Sequence, residues 1–107
     1  MKLFLDSSNT EVVLNAVGTG LIDGVTTNPS LMMKQGQDPV EVIKEICDMF
    51  GWTASVSAEV VGETAEEMLD MSDNYIEIHP SVTIKLPLTP EGLRACKELA
   101  EDGISTN

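Results

Sequence analysis

A lysine interrupts an apolar run near the end of the chain, Val82-Thr83-Ile84-Lys85-Leu86-Pro87. Aliphatic and β-branched neighbours read as a buried strand. The strand closes at Pro87, whose nitrogen has no hydrogen to donate to a ladder. Desolvation in such a strand disfavours the charged ammonium, and a neutral amine is the nucleophile that Schiff-base chemistry requires. The alternative is an edge strand that turns Lys85 to water to deter pairing. Asp6, Thr26, Asn28 and Glu59 also fall at or near the ends of strand-like runs. A carboxylate beside an ammonium or iminium stays ionised and can act as a base. Each of these residues has a plainer reading. Asp6 fits a helix-entry turn, Thr26 and Asn28 fit ordinary turn chemistry before Pro29, and Glu59 fits a strand end facing the surface.

Those residues need elements to hold them. Lys2 to Leu5 reads as a first strand, followed by the cap-rich cluster Asp6-Ser7-Ser8-Asn9-Thr10. Asn9 or Thr10 caps a helix over residues 11–17 that buries Val12, Val13, Leu14 and Val17, and Gly18 and Gly20 end it. Leu21 to Thr27 is a second strand, broken at Asn28-Pro29-Ser30. Ser30 caps a short helix to Lys34. Asp38 caps the next helix with Pro39 at its first position, and Val40, Ile43, Ile46, Cys47 and Phe50 recur at helical spacing. Thr53 to Val61 is a third strand. Thr64 and Glu67 form a capping box for a helix to about Asn74 with Met68, Leu69 and Met71 inward, and residues 75–80 connect it to the fourth strand, 82–87. Thr89-Pro90-Glu91 opens a helix to about Asp102 that buries Leu93, Cys96, Leu99 and Ala100. Residues 104–107 begin a fifth strand.

The order β-α-β-α-β-α-β-α-(β) builds a parallel sheet with right-handed crossovers. Two architectures fit, an open doubly wound sheet and part of a (β/α)8 barrel. No glycine-rich phosphate fingerprint follows the first strand, which counts against a dinucleotide-binding sheet. In both architectures active sites form at the C-terminal ends of the strands, where Asp6, Thr26, Asn28, Glu59 and Lys85 fall.

Composition excludes several classes. The 107 residues carry 18 carboxylates against 6 basic side chains, so neither a nucleic-acid footprint nor attraction to anionic lipid is expected. Cys47 and Cys96 lack metal-ligand spacing and read as reduced core residues. No run approaches a membrane span and no signal peptide is evident, so the cytoplasm is the expected location. The single histidine, His79, lies before Pro80 at the end away from the polar strand tips and reads as non-catalytic. No metal or cofactor is expected.

The motifs resemble a known family. Phe4-Leu5-Asp6-Ser7-Ser8, Gly24-Val25-Thr26-Thr27-Asn28-Pro29-Ser30, and Ile84-Lys85-Leu86-Pro87 with Thr89 and Glu91-Gly92-Leu93 are similar, in order and spacing, to the amino-terminal half of short-form transaldolases. These enzymes are close relatives of the fructose-6-phosphate aldolases. The resemblance covers the whole chain and implies a class I aldol transfer in the pentose phosphate pathway, with sugar phosphates as substrates. It casts Lys85 as the Schiff-base lysine and Asp6 as the base that takes the C4 hydroxyl proton. Glu59 becomes the proton relay through a water, and Thr26, Asn28 and Asn107 become donor-sugar ligands. A glutamate at position 59 and an asparagine at 107 resemble the transaldolases more than the aldolases. Fructose-6-phosphate aldolase activity and a non-catalytic acidic α/β scaffold are the alternatives. A deoxyribose-phosphate type of Schiff-base aldolase fits less well, because Thr26-Thr27-Asn28-Pro29 does not belong to it.

A complete barrel has eight strands and about 250 residues. Residues 1–107 are therefore expected to form a single partial domain, half of such a barrel, with four βα units and the start of a fifth strand. The resemblance places the phosphate-gripping arginine and serine of the family outside this stretch, so weak or no turnover is expected of it alone. Open strand edges and an apolar inner face are expected to drive self-association, by half-barrel pairing or domain swapping.

Overall fold

Every helix starts where a side chain can accept its first free N–H groups. Asn9 Oδ1 accepts from the backbone of Glu11 and Val12 at 3.0 and 3.1 Å, Asp38 Oδ1 from Val40 at 3.0 Å, and Thr89 Oγ1 from Gly92 at 3.0 Å. Three helices carry proline in the first turn, where the missing N–H costs nothing. The computed structural model describes residues 1–51 and 54–107. In chain order it contains β1 (Phe4–Asp6), α1 (Thr10–Gly18), β2 (Gly24–Thr26), α2 (Pro29–Lys34), α3 (Pro39–Phe50), β3 (Ser55–Glu59), α4 (Ala65–Ile76), β4 (Val82–Lys85) and α5 (Pro90–Glu101).

The four strands form one parallel sheet in the order β1-β2-β3-β4. Residues 105–107 then lie beside β4 in the same sense. Ile84 N–H donates to the Ser105 carbonyl, Asn107 N–H to Ile84, and Leu86 N–H to Asn107, each at 2.9 Å. The strand begun after α5 is thus present as a short parallel bridge, Ile84 to Thr106. Sequential order distinguishes the two architectures. A doubly wound sheet reverses its strand order and places helices on both faces. Here order never reverses, and α1 packs on α3, α3 on α4 and α4 on α5, along one side. Four parallel strands alternating with helices on one side is the arrangement of half of a (β/α)8 barrel.

Strand alternation assigns the two faces. Val25, Val56, Ala58, Val60, Val82 and Ile84 point to the helices and join Val13, Met32, Ile43, Ile46, Cys47, Met68, Ala95 and Leu99 in one buried core. The concave face carries Phe4, Thr26, Ser55, Ser57 and Thr83, which line a cavity of about 450 Å³ with Thr106 and Asn107. The expected apolar inner face is thus present, with hydroxyl groups set among the carbon atoms that make up most of it. Ser55 and Thr83 hydroxyls hydrogen-bond there at 2.7 Å, beside the exposed Phe4 ring. Gly24 keeps the sheet closed at this point. A Cβ there would overlap the Ser55 carbonyl oxygen and lie 2.5 Å from the Phe4 ring.

Several boundaries differ from the sequence reading. β1 begins at Phe4 and includes Asp6, because Phe4, Leu5 and Asp6 find partners in Gly24, Val25 and Thr26. β2 is confined to the same three rungs. Helix α2 is capped by Asn28, not Ser30, with Oδ1 accepting from Leu31 N–H at 3.1 Å. Helix α1 buries Val13 but exposes Val12 and Leu14, and α5 exposes Leu93 and Ala100. Adjacent apolar residues cannot all face the sheet at 100° per residue. Helix α4 continues to Ile76 because Ala65, Met68, Ser72 and Tyr75 form one buried stripe. Its capping box is half made. Thr64 Oγ1 accepts from Glu67 N–H, while the Glu67 carboxylate takes the N–H of Glu63. Residue 53 of the expected third strand lies outside the described residues.

Candidate active site

The sheet register stacks the polar strand tips in two layers. Asp6, Thr26, Ser57 and Thr83 are opposite one another across β1 to β4. Two residues further on, Glu59 pairs with Lys85. A two-residue step keeps a side chain on the same face and moves it about 7 Å along the strand. Glu59 and Lys85 therefore stand above Ser57 and Thr83 at the C-terminal mouth of the concave face. Asn28 lies two residues beyond Thr26, and Asn107 one residue beyond the Ile84–Thr106 bridge, beside Lys85.

Lys85 Nζ lies 3.6 Å from Glu59 Oε2, with the two side chains 42% and 31% exposed. The amine is therefore not stripped of water as the strand context suggested. Lys85 is the last residue of β4, where the helix-facing core ends and the mouth opens. The edge-strand alternative fails as well, since β3 flanks β4 on one side and residues 105–107 flank it on the other. On its other flank Lys85 borders an apolar recess of about 260 Å³ formed with Pro87, Leu88, Leu93 and Cys96.

Asp6 is held from the neighbouring strand. Thr26 donates its hydroxyl to Asp6 Oδ1 at 2.9 Å, which leaves the second carboxylate oxygen available. Asn28 uses its carbonyl oxygen to cap α2, so its side-chain NH2 is the group left for a ligand. Asp6 and Lys85 sit on β1 and β4 with two strands between them, and among the described residues the ion pair of Lys85 is with Glu59. The structure thus brings together Lys85 with Glu59 on β3 and β4 and Asp6 with Thr26 on β1 and β2, two pairs on one face of the same sheet.

The sequence reading left out Ser57 and Thr83, the hydroxyl floor between the two pairs. Their signal was the period-2 alternation of Ser55-Val56-Ser57-Ala58-Glu59 and Val82-Thr83-Ile84-Lys85. His79 lies at the other end of β4. Its Nδ1 accepts the N–H of Ser81 at 3.1 Å and hydrogen-bonds the Ser81 hydroxyl at 2.5 Å. Among the described residues no cluster of three or more His, Cys, Asp or Glu is placed to hold a metal ion, and no helix is long and apolar enough to cross a membrane.

Comparison with known proteins gives a consistent picture. The model of the family described as Transaldolase/Fructose-6-phosphate aldolase matches residues 3–107. A probable transaldolase of Caulobacter sp. (strain K31) is 48% identical over the whole of this chain and 48% of its own length. One of Streptococcus equi subsp. equi (strain 4047) is 46% identical over the whole chain and 49% of its own length, and one of Paracoccus denitrificans (strain Pd 1222) is 45% identical, likewise over the whole chain and 48% of its own length. The chain spans about half the length of these curated relatives.

Proposed function

The chain belongs to the transaldolase/fructose-6-phosphate aldolase family, and from that premise we propose that it carries the Schiff-base half of an aldol-transfer site for ketose phosphates. The observation that carries the reading is the Lys85–Glu59 pair, 3.6 Å apart at the strand mouth, on the sheet that also holds the Asp6–Thr26 pair.

The amine must lose a proton before it can attack a carbonyl. Glu59 is the group near enough to receive it, directly or through a water. The Lys85 nitrogen then bonds to the ketone carbon of the sugar, and the carbonyl oxygen is protonated to give a carbinolamine. Glu59 returns a proton to the departing hydroxyl, water leaves, and an iminium remains. Asp6 takes the proton of the C4 hydroxyl. The C3–C4 bonding electrons move into the iminium, an aldose phosphate departs, and a three-carbon enamine stays on Lys85. That enamine attacks the aldehyde carbon of a second aldose phosphate while Asp6 returns its proton to the new C4 oxygen, and water hydrolyses the re-formed iminium to release the new ketose phosphate and free Lys85. Protonation of the enamine carbon followed by hydrolysis releases dihydroxyacetone instead and makes the reaction an aldol cleavage.

Thr26 acts here through Asp6, because its hydroxyl is already donated to that carboxylate. In this reading Asn28, through its NH2, and Asn107 bind donor hydroxyls. The resemblance of the carboxylate at position 59 and the asparagine at 107 to those of transaldolases supports transfer over simple cleavage.

The test is to incubate the chain with fructose 6-phosphate, reduce with borohydride, and map the mass increment. An adduct confined to Lys85 is expected. Folded protein with no adduct, or with label spread over the lysines, overturns the reading in favour of a non-catalytic scaffold. If the adduct forms, the yield of new ketose with an aldose phosphate acceptor, against dihydroxyacetone released without one, decides between transferase and aldolase.

A further inference from the structure

The β3–β4 ladder that aligns Glu59 with Lys85 ends one residue later, where Val60 N–H donates to the Lys85 carbonyl at 2.9 Å. Beyond it the two chains part into separate loops, residues 60–64 leading to α4 and residues 86–89 leading to α5. A side-chain hydrogen bond ties the far ends of these loops. Glu91, in the first turn of α5, reaches across to α4, where its Oε2 accepts the N–H of Ala65 at 2.9 Å in a partly buried setting. Ala65 is the first residue of α4, so its N–H has no acceptor within its own helix. A carboxylate on a helix N-terminus is a charge-assisted partner, about twice as strong as a neutral one. The other oxygen of Glu91 lies 3.2 Å from Arg94 Nη1. The base of this arm is rigid. Thr89 N–H closes on the Pro87 carbonyl at 2.9 Å, and a Cβ at Gly92 would collide with that same carbonyl oxygen.

We propose that Glu91 is a positioning residue that clamps the loop after β3 to the loop after β4 and so sets the separation of Glu59 and Lys85. The proposal rests on the reading of that pair as a working unit. Were Glu91 only the partner of Arg94 three residues on, it would be an exposed surface pair of small consequence. Its second oxygen, bonded to another helix, gives it a structural task that such a pair lacks.

The experiment compares wild-type chain with Glu91→Ala, Glu91→Gln and, as a control destabilised elsewhere, Asp38→Ala. Two quantities are read, amide exchange at Ala65 by NMR and the acetic anhydride labelling rate of Lys85 relative to Lys44 on α3. Glu91→Ala is expected to speed Ala65 exchange about tenfold, the factor that loss of one such bond implies. It should also change the relative labelling of Lys85 at least about twofold. Glu91→Gln keeps an acceptor oxygen but loses the charge, so Ala65 exchange should fall between wild type and Glu91→Ala while Lys85 labelling stays at the wild-type value, and Asp38→Ala should match wild type in both after correction for its stability. If Glu91→Ala fails to fold, Ala65→Pro removes the donor from the opposite side. The first helical position accepts proline, and Thr64 before it is already extended, at φ −120° and ψ 155°. It should alter Lys85 labelling as Glu91→Ala does. Unchanged Lys85 labelling in these variants, or an equal change in Asp38→Ala, overturns the proposal and leaves Glu91 a helix cap. Both readouts are independent of turnover. Absence of a sugar adduct in the wild-type chain would therefore refute the catalytic reading while leaving this one to be decided.

Discussion

The two ends of the sheet both carry polar clusters, and they are built in opposite ways. At the N-terminal end the Ser81 side chain, 6% exposed, hydrogen-bonds His79 and the fully buried Cys47. Burial pushes the Cys47 thiol up from its ordinary value, the Ser81 hydrogen bond opposes that, and the nearby Asp48 charge adds to it. At the C-terminal mouth the groups keep capacity in reserve. Lys85 and Glu59 stand 3.6 Å apart and remain open to water, and Asp6 has one oxygen bonded by Thr26. The difference teaches which cluster can serve a ligand. Polar groups that satisfy one another in a dry interior contribute to the fold. Half-exposed groups with spare donors and acceptors contribute little to stability and can exchange water for a substrate.

If that contrast is right, substitutions at the mouth should change chemistry without changing stability, and substitutions at the base should do the reverse. The largest effect belongs to Lys85→Met. The trapped adduct should fall to background while the unfolding free energy moves by less than about 1 kcal/mol, as expected for a half-exposed ion pair. Persistence of the adduct in this variant would show that the lysine is misassigned. Asp6→Ala should still form the adduct, since the nitrogen is untouched. Carbon–carbon cleavage should slow by about 10²–10⁴-fold, the usual contribution of a positioned base, and the trapped species should be the uncleaved six-carbon adduct. Equal losses of adduct and cleavage would instead place Asp6 in binding.

Ser81→Ala is the converse substitution at the base. It removes the hydroxyl shared by His79 and Cys47 in a buried place, for a cost of about 1–3 kcal/mol in urea unfolding. Adduct formation per folded molecule should be unchanged. A loss of adduct beyond the loss of folded protein would break the distinction between the two ends.

Much of this contrast was legible in the sequence. Helix starts were visible because Asn9, Asp38-Pro39, Thr64 and Thr89-Pro90 announce themselves chemically. Lys85 was visible because a charge in an aliphatic run is conspicuous. Strand limits were not, since β1 and β2 are defined only by the partners each finds in the other, and pairing is not local. The buried faces of α1 and α5 were misjudged where apolar residues sit side by side, as in Val12-Val13-Leu14, and only packing selects which one turns inward. The hydroxyls of that floor were there to be read in the alternation of β3 and β4. The Glu91–Ala65 tie joins residues 26 positions apart and carries no sequence signal beyond the motif that contains it.

The smallest effect concerns the two thiols, and it tests the dryness of the base directly. Cys47 is fully buried, whereas Cys96 is partly accessible beside the Lys85 recess. The thiolate is the reactive form, so native protein should react quickly with a thiol reagent at one equivalent, Cys96, and only slowly at the second. Above the ordinary thiol value of 9.0 the same burial becomes a liability. The fold holds Cys47 as the neutral thiol, and burial likewise raises the Tyr75 hydroxyl above its ordinary 10.0, with the Asp38 charge adding to the shift. Both groups ionise more readily in the unfolded chain. Their contribution is complete below pH 9 and is lost as pH rises through the folded-state values, because there the unfolded state releases more protons. Urea midpoints should therefore be flat in this respect up to about pH 9 and decline above it. Cys47→Ala, less stable at neutral pH, should decline less steeply between pH 9 and 10. An equal slope in both proteins, or reaction of Cys47 as fast as Cys96, would mean that water reaches the base as freely as the mouth.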